Sequence, residues 1–437
     1  MASSSHKLFI LLFTILFSLT LPLNTNTSIT TSLNPNKLTS LKSLCKTTPY
    51  PKLCFNSLKL SISININPNI ITYLLHSLQL AISETTKLSN LFHDVGTSNI
   101  VEKQRGSIQD CKELHQSTLT SLKRSLSGIR SSNKRNIADA RIYLSAALTN
   151  KNTCLDGLDS ASGTYKPILV DSIINTYKHG IMMKIDSTVI TGNRSVVDGW
   201  TTFRSATLAV SGDGFLARDI AIENRAGPEK HQAVALRVNA DLTAFYKCAI
   251  YGYQDTLYVH SFRQFYRECD IYGTIDFIFG NAAVVLQECD IVSRMPLPGQ
   301  FTVITAQSRD NPDEDTGISI QNCSIIATDE LYSNSSKVKS YLGRPWRVFS
   351  RTVLIESYID DFIDQKGWTK WSNDQGLDTL FYGEYENYGP GSKIDNRVEW
   401  VGYHLMDYND AYNFSVSEFI IGDQWLESTS VPYDDGI

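Results

Sequence analysis

At 437 residues the chain is long enough for two domains or more, and its net charge of −5 is unevenly distributed. Residues 38–180 carry 17 Lys and Arg against 9 Asp and Glu, whereas residues 181–437 carry 21 against 36. The basic half has no interleaved aromatic residues, so its charge does not indicate a nucleic-acid-binding surface. The opposite charges instead predict two domains that attract each other.

The N-terminus has the pattern of a secretory signal peptide. Residues 8–23 form an apolar run that follows His6 and Lys7, so we predict a signal peptide over residues 1–23. An uncleaved membrane anchor is the alternative, although the run is short for a membrane span. No other apolar run approaches that length, so we expect a secreted protein without membrane association after cleavage. Residues 24–37 are rich in Asn, Thr and Ser and predict a disordered linker.

Residues 38–180 are predicted to form an all-α helical bundle of four helices. Apolar residues recur at three- and four-residue steps between about Ile70 and Tyr177, and few glycines interrupt them. Four cysteines lie in this half, and export permits disulfides. Cys45–Cys54 with Cys111–Cys154 is the favoured one of three possible pairings. No catalytic set is visible, which favours a helical partner domain.

A repeated phrase organises residues 181–437. Its first two copies are offset by 21 residues, which superimposes Cys248 on Cys269, Gly252 on Gly273 and Asp255 on Asp276. Residues 286–292 and 320–326 repeat the cysteine part of the phrase. A period near 20 residues on short β-branched and aromatic strands predicts an all-β solenoid, a right-handed parallel β-helix in which each repeat is one rung.

The repeat predicts an acid–base pair. Neighbouring rungs lie about 4.8 Å apart, so Asp255 and Asp276 should stand side by side, and one of them should keep its proton. A purely structural Asp ladder is the alternative interpretation. Gln254 beside Asp255, and Gln232 one rung earlier, favour catalysis because amide donors suit a developing oxyanion.

Other kinds of site are not indicated. His231 and His260 invite a hydrolase triad, but no Gly-x-Ser-x-Gly motif accompanies them, so we interpret both as structural. The cysteines repeat once per rung without a CxxC spacing, so no metal site and no cofactor are predicted. Glycosylation acceptor sequences begin at Asn26, Asn193, Asn322, Asn334 and Asn413. Asn322 lies in a predicted strand, which argues against its use.

Two parts of the chain resemble known plant families. Cys45-Lys-Thr-Thr-Pro-Tyr-Pro-Lys-Leu-Cys54, with Cys111 and Cys154, resembles a plant invertase/pectin methylesterase inhibitor domain. Residues 189–437 resemble the catalytic domain of a plant pectin methylesterase. The motifs that carry this resemblance are Gly227-Pro-Glu-Lys-His-Gln232-Ala-Val-Ala-Leu, Gly252-Tyr-Gln254-Asp255-Thr-Leu, Asp276-Phe-Ile-Phe-Gly280 and Leu342-Gly-Arg344-Pro-Trp346.

The resemblance implies an activity and a place. The substrate would be methyl-esterified homogalacturonan, that is pectin, and the products pectate and methanol, in the cell wall outside the cell. The attached inhibitor-like domain would be an intramolecular partner. Asp276 would be the nucleophile, and Asp255 the proton donor that later acts as base. Gln254 would stabilise the transition state.

The resemblance also implies binding residues and a disulfide. Gln232 would act as a second amide donor on the substrate, and Arg344 would hold Asp276 ionised. Trp346 would form an apolar platform for a sugar, as would Trp368 and Trp371. The resemblance also implies a Cys269–Cys289 disulfide, which the rung spacing allows. Cys248 and Cys323 are left unassigned.

The resemblance is incomplete at the junction of the two domains. Catalytic domains of the family open with strands that carry a Gly-x-Tyr-x-Glu motif, but residues 163–167 lack the Glu, and no basic processing site follows. We therefore expect that residues 181–437 lack the first rungs, which would expose strand edges. A catalytically impaired product that acts as an esterase inhibitor or binding protein is the alternative function. A glycosidase or lyase is a weaker one, because β-helices host those reactions too.

Overall fold

The computed structural model describes residues 75, 78, 79, 82, 83, 86, 102–130, 134–160 and 189–437. The predicted signal peptide, the linker and the Cys45–Cys54 pair lie outside these residues. The described elements fall into two units, one helical and one built of β-strands. None of the described helices is both long enough and apolar enough to span a bilayer.

The helical unit contains an antiparallel pair, α1 (Glu102–Arg130) and α2 (Lys134–Ser160). A disulfide joins Cys111 to Cys154, with a Cα–Cα distance of 4.6 Å, and this is the pairing favoured by the sequence. Further along the helices, the Ser125 hydroxyl donates to the Ala140 carbonyl at 3.1 Å. The helical character expected of residues 38–180 is therefore present in the two described helices, and the other helices predicted for the bundle fall outside the described residues.

The β unit consists of three sheets whose neighbouring strands are all parallel. The first sheet has seven strands: β1 (Val189–Gly192), β4 (Ala221–Asn224), β7 (Ala249–Tyr251), β10 (Asp270–Gly273), β13 (Asp290–Ser293), β16 (Ser324–Ala327) and β19 (Tyr358–Ile359). The second sheet has six: β2 (Leu208–Val210), β5 (Leu236–Asn239), β8 (Leu257–Ser261), β11 (Ile275–Gly280), β14 (Thr302–Gln307) and β17 (Ser340–Gly343). The third sheet has eight: β3 (Leu216–Arg218), β6 (Thr243–Tyr246), β9 (Arg263–Arg267), β12 (Ala283–Gln287), β15 (Gly317–Gln321), β18 (Arg351–Ile355), β20 (Phe381–Tyr385) and β21 (Tyr403–Leu405).

From β1 to β19, successive strands belong to successive sheets, so that three strands make one rung and each rung pairs with the one before it. This coil of parallel strands agrees with the predicted parallel β-helix. Short helices lie in the connections and at the C-terminal end: α3 (Asp329–Tyr332), α4 (Tyr408–Tyr412), α5 (Val416–Phe419) and the 3₁₀ turns Pro228–Lys230, Gly422–Gln424 and Leu426–Thr429.

An isoleucine ladder shows why this sequence coils. One isoleucine in each of six first-sheet strands is paired in register with the next and fully buried: Ile222, Ile250, Ile271, Ile291, Ile325 and Ile359. Apart from buried Val292, the residues on either side are half-buried or exposed, which gives the period-two pattern of a strand buried on one face. Each buried isoleucine contributes roughly 1.5–3 kcal/mol of hydrophobic stabilisation. The buried isoleucines therefore stabilise the stacking of one rung on the next.

Each turn that follows a third-sheet strand, from β3 to β20, has a non-glycine residue in the left-handed region. The residues, with φ between 44° and 55°, are Asp219, Lys247, Glu268, Glu288, Asn322, Glu356 and Glu386. We call these positions the corner residues. Asn322 was expected inside a strand, but it is an exposed corner residue, so the structural objection to it as a glycosylation acceptor does not hold.

The residue after each corner points into the solenoid, and four consecutive rungs place a cysteine there. This cysteine ladder (Cys248, Cys269, Cys289 and Cys323) is buried, and all four thiols are free. The implied Cys269–Cys289 disulfide is not formed in this structure. The Cys269 amide donates to the Cys289 sulfur at 3.5 Å, and the Cys289 amide to the Cys323 sulfur at 3.3 Å.

Two more rungs explain why the thiols remain unpaired. The Cys323 amide donates to the Ser357 hydroxyl at 3.1 Å, and the Ser357 amide donates to the Asn387 side chain at 2.9 Å. Cysteine, serine and asparagine thus fill the same role as acceptors for the rung before. The thiols of Cys269 and Cys289 also donate to the backbone carbonyls two residues earlier, so each thiol makes a hydrogen bond within its own turn. Rung spacing alone satisfies the Cα criterion for a disulfide without aligning the sulfurs.

We expect the cysteine ladder to be unreactive in the folded protein and fully reactive after unfolding. Alkylation without reductant, followed by mass spectrometry, should modify all four residues in denaturant and none in buffer. Cys111 and Cys154 serve as the internal control, since they should need a reductant. A cross-linked peptide that joins Cys269 to Cys289 would contradict this assignment.

Candidate active site

Asp255 and Asp276 occupy equivalent places on neighbouring rungs. Strands β8 and β11 pair Leu257 with Ile278, and this register preserves the 21-residue offset seen in the sequence. The Asp255 amide donates to the Ile275 carbonyl at 3.0 Å, which fixes the two aspartates beside each other. Asp255 and Asp276 are 8% and 4% exposed, so both residues are buried.

The backbone around the pair departs from regular strand geometry. Asp255 has φ 63° and Asp276 has φ 50°, both in the left-handed region. The pairing of β11 with β14 also shifts register between Ile275 and Ile278. Such bulges re-aim side chains at functional sites, and the left-handed conformation costs about 1–3 kcal/mol at a non-glycine residue. The strain here falls on the two residues that the sequence singles out.

Arg344 holds Asp276 through two charge-assisted hydrogen bonds. Its Nε donates to Asp276 Oδ1 at 2.8 Å and its Nη2 donates to Oδ2 at 2.6 Å. The Arg344 amide bonds the Thr305 carbonyl of β14 at 2.9 Å, and the guanidinium lies 4.2 Å from the centre of the Trp371 ring. With its backbone anchored to β14 and its guanidinium packed on the Trp371 ring, Arg344 fixes the orientation of the Asp276 carboxylate.

The surroundings separate the two aspartates in acidity. Burial raises the pKa of Asp255 well above its usual range, and the neighbouring negative charge of Asp276 raises it further. Burial also raises the pKa of Asp276, but the hydrogen bonds and positive charge of Arg344 oppose that rise. Asp276 is therefore the member that ionises first, and Asp255 is the member that keeps its proton.

Two glutamine side chains border the pair. Gln254 precedes Asp255, and its backbone carbonyl accepts a hydrogen bond from the Ala233 amide at 3.2 Å. Gln232 immediately precedes Ala233, so this bond brings the two glutamines onto neighbouring rungs. Both side chains are half-buried. Within residues 189–437, neither side-chain amide has a hydrogen-bond partner, so both can donate to an oxygen of a bound molecule.

A row of aromatic rings leads away from the pair. Tyr258 stacks on Phe279 with ring centres 4.2 Å apart, and Phe279 lies 6.0 Å from Trp346. Trp346 stacks on Trp371 at 6.3 Å, and Trp371 is 39% exposed. The sequence pointed to Trp346 and Trp371 but missed Tyr258 and Phe279. The sequence contained a clue to both, because Tyr258 and Phe279 each lie three residues after an aspartate of the pair.

Trp368, predicted as a sugar platform, is instead a core residue. It is 1% exposed, its Nε1 donates to Glu384 at 3.1 Å, and it stacks on Tyr382 at 4.2 Å. Glu384 is in turn paired with buried Arg397 at 2.9 Å. The indole N–H thus has an internal partner, and no face of the ring is open to a substrate.

The two histidines do not join the pair. His260 is fully buried, its Nδ1 lies 2.9 Å from the Ser261 hydroxyl, and burial together with the charge of Arg237 lowers its pKa well below the usual range. His231 is exposed and ends a 3₁₀ turn. In the residues that the structure describes, no group of three or more His, Cys, Asp or Glu is arranged to hold a metal ion.

Comparison with known families gives two matches along the chain. A family profile described as Pectinesterase matches residues 158–423. A second profile, described as Plant invertase/pectin methylesterase inhibitor, matches residues 39–189. The first covers more than half of the chain and contains both aspartates, both glutamines and Arg344.

Curated proteins and solved structures give the same picture. The chain is 53% identical to "Probable pectinesterase/pectinesterase inhibitor 12" of Arabidopsis thaliana over 551 positions that cover all of both proteins. With 437 residues here, at least 114 of those positions have no counterpart in this chain. It is 58% identical to "Probable pectinesterase/pectinesterase inhibitor 7" of the same plant over 58% of this chain, which spans only 44% of that relative. Pectin methylesterase from carrot matches with a TM-score of 0.57 and 52% identity, over 57% of this chain and 79% of the carrot chain.

Proposed function

The chain belongs to the pectinesterase family, and we propose that it hydrolyses methyl esters of pectin through attack by the Asp276 carboxylate on the ester carbonyl carbon. The observation that carries the proposal is the buried pair of unlike aspartates with Arg344 on one of them. An ionised nucleophile and a protonated donor side by side are what ester cleavage by a carboxylate requires.

The first half-reaction releases methanol. An Asp276 oxygen forms a bond to the carbonyl carbon, and the resulting oxyanion is stabilised by the free amides of Gln254 and Gln232. Collapse of the tetrahedral intermediate breaks the bond to the methoxy oxygen, while Asp255 gives that oxygen its proton. The products are methanol and an anhydride between Asp276 and the galacturonate carboxyl group.

The second half-reaction restores the enzyme. Asp255, now ionised, takes a proton from a water molecule, and the water oxygen attacks the galacturonate carbonyl carbon of the anhydride. The Asp276 carboxylate leaves and is received again by the two Arg344 donors. A free galacturonate carboxyl group is released, and the next cycle starts with Asp255 protonated.

Trp346 and Trp371, which are half-buried and exposed, would support sugar rings beside the reacting ester, and the buried rings of Phe279 and Tyr258 would back them from below. Aromatic faces of this kind bind the apolar faces of sugars and exclude water. We propose the cell wall, outside the cell, as the place of action, and the domain matched at residues 39–189 as an intramolecular inhibitor partner. A product that only binds another esterase is less favoured, because the side chains proposed for catalysis lie together.

The proposal is tested by methanol release from methyl-esterified pectin, with polymer length measured in parallel. We expect methanol without shortening of the polymer. Chain shortening or unsaturated ends without methanol would point to a glycosidase or lyase, and no reaction by correctly folded protein would favour the binding-only alternative.

We expect kcat/KM for methanol release to show a bell-shaped dependence on pH. The rising limb follows ionisation of Asp276, and the falling limb follows loss of the proton from Asp255, whose raised pKa places that limb above the ordinary carboxyl range near 3.9. Arg344→Lys breaks the two-point contact, so the Asp276 pKa should rise and the rising limb of kcat/KM should move to higher pH. Arg218→Lys, an exposed arginine on the third sheet, is the matched control. A rising limb that stays in place would contradict the role of Arg344.

A further inference from the structure

Arg294 is a half-buried arginine that the chemistry described so far does not use. It follows the last residue of β13, and its amide donates to the Gly273 carbonyl of the preceding rung at 2.7 Å. Its guanidinium reaches one rung further. Nη1 donates to the Gly252 carbonyl at 2.9 Å, and Nη2 donates to the Tyr253 hydroxyl at 2.9 Å. One residue therefore ties three consecutive rungs together.

The guanidinium of Arg294 is used on both of its faces of contact, the edge and the plane. The two hydrogen bonds come from its edge, and its plane packs against the Tyr253 ring, 4.0 Å from the ring centre. A planar fork that bonds and stacks on adjacent residues holds them more rigidly than a single point charge can. The position of the turn that contains Gly252 and Tyr253 is thus set from two rungs away.

The turn held in this way leads to the proton donor. Asp255 lies two residues after Tyr253 and has φ 63°, a conformation that a non-glycine residue keeps only when its surroundings enforce it. The Tyr253 carbonyl accepts from the Thr274 amide at 2.9 Å and from the Thr256 hydroxyl at 3.1 Å. Because Gly252 and the Tyr253 side chain are bonded by the third rung as well, the chain enters Asp255 from a fixed point.

Contact through the backbone suits a proton donor. A guanidinium bonded directly to the Asp255 carboxylate would favour the ionised form, as Arg344 does for Asp276. Arg294 instead bonds a backbone carbonyl and a hydroxyl group. It can therefore hold the donor in place without drawing off its proton.

We propose that Arg294 positions the proton donor Asp255 by holding the turn that leads to it. The leaving methoxy oxygen needs the donor at hydrogen-bond distance, and a displacement of about 1 Å can lower a rate about a hundredfold. Each aspartate of the pair then has its own arginine, Arg344 on the carboxylate of the nucleophile and Arg294 on the backbone that leads to the donor. This inference rests on the proposed function and adds a positioning residue to it.

The test compares two esters that differ in their need for the donor. Methyl-esterified pentagalacturonate has a poor leaving group that must be protonated, whereas the trifluoroethyl ester releases a more acidic alcohol. The measurement is kcat/KM for alcohol release by the full chain, because this quantity reports on the steps up to that release. For Arg294→Met we expect a loss of about ten- to thirtyfold with the methyl ester, and of less than about threefold with the trifluoroethyl ester.

Arg218→Met is the matched control. Arg218 also stacks on a tyrosine, Tyr246, at 4.7 Å and donates to a backbone carbonyl, that of Ser430, at 2.8 Å, but it lies on the third sheet. Its replacement should leave both rates unchanged. Thermal unfolding of each variant checks the fold. If Arg294→Met folds poorly, Tyr253→Phe removes one of the two hydrogen bonds and should show the same preference between the esters with a smaller loss.

Two results would overturn the proposal. Equal losses with the two esters would show that Arg294 supports the fold in general, and no loss with either would show that it has no part in the reaction. The esterase function is judged separately on the unaltered chain. Methanol release by that chain upholds the function whatever Arg294 does, and its absence refutes the function and the role of Arg294 together.

Discussion

Replacement of Asp276 by asparagine should lower methanol release from pectin at least about a thousandfold, because the amide cannot form the acyl intermediate. The asparagine side chain keeps the size of the original and one acceptor for Arg344, so the fold should be retained. The measurement is kcat/KM for methanol release, with thermal unfolding of the same sample. Asp395→Asn, at an exposed aspartate, is the matched control and should be fully active.

A loss of less than about tenfold in Asp276→Asn would show that another group makes the attack. Asp255→Asn separates the two roles, since it preserves the nucleophile and removes the proton donor. A substrate with a leaving group more acidic than methanol should recover part of the acylation rate in Asp255→Asn and none in Asp276→Asn. Equal behaviour of the two variants would contradict the assignment of nucleophile and donor.

The largest stability effect is expected at a buried ion pair between rungs. Arg263 donates to Asp241 from Nε at 3.0 Å and from Nη2 at 2.7 Å, and both side chains are almost fully buried. Arg263→Met leaves a buried carboxylate without its counter-charge, which should lower the free energy of unfolding by about 3–5 kcal/mol. Urea unfolding followed by tryptophan fluorescence reports on this unit, because all six tryptophans lie in it.

The control for this change is Lys370→Met, which removes an exposed ion pair with Asp374. It should cost no more than about 1 kcal/mol. The double variant Asp241→Leu with Arg263→Met should be more stable than Arg263→Met alone, since the orphaned charge is gone. A double variant that is less stable than the single one would show that the side chains contribute by packing rather than by charge.

The acid pair could be predicted from the sequence because a solenoid turns sequence offset into distance. The 21-residue offset that superimposes Asp255 on Asp276 is the register of β8 and β11. Neither a bulge nor a left-handed φ was visible in that pattern. Arg344 lies 68 residues from Asp276 and has no periodic relation to it, so only the family resemblance indicated the contact that the structure contains.

Other features could not be predicted because spacing does not report which way a side chain points. Trp368 and Trp371 are three residues apart, yet one is sealed in the core by Glu384 and the other is exposed. The cysteine ladder has disulfide-compatible spacing, but the sulfurs accept hydrogen bonds from the rung before. Asn322 reads as part of a strand because its neighbours are β-formers, and the turn is visible only in its positive φ.

The corner residues also bear on how such a protein can change in length. Between the third and first sheets, every turn from Lys247 to Glu356 contains two residues, although successive corners are separated by 21, 20, 34 and 34 positions. All the variation in length is therefore accommodated at the other two turns, as in the connection from β13 to β14 that carries eight residues. Those turns are natural acceptors for grafted loops, and new recognition surfaces can be added there without disturbing the registration of the coil.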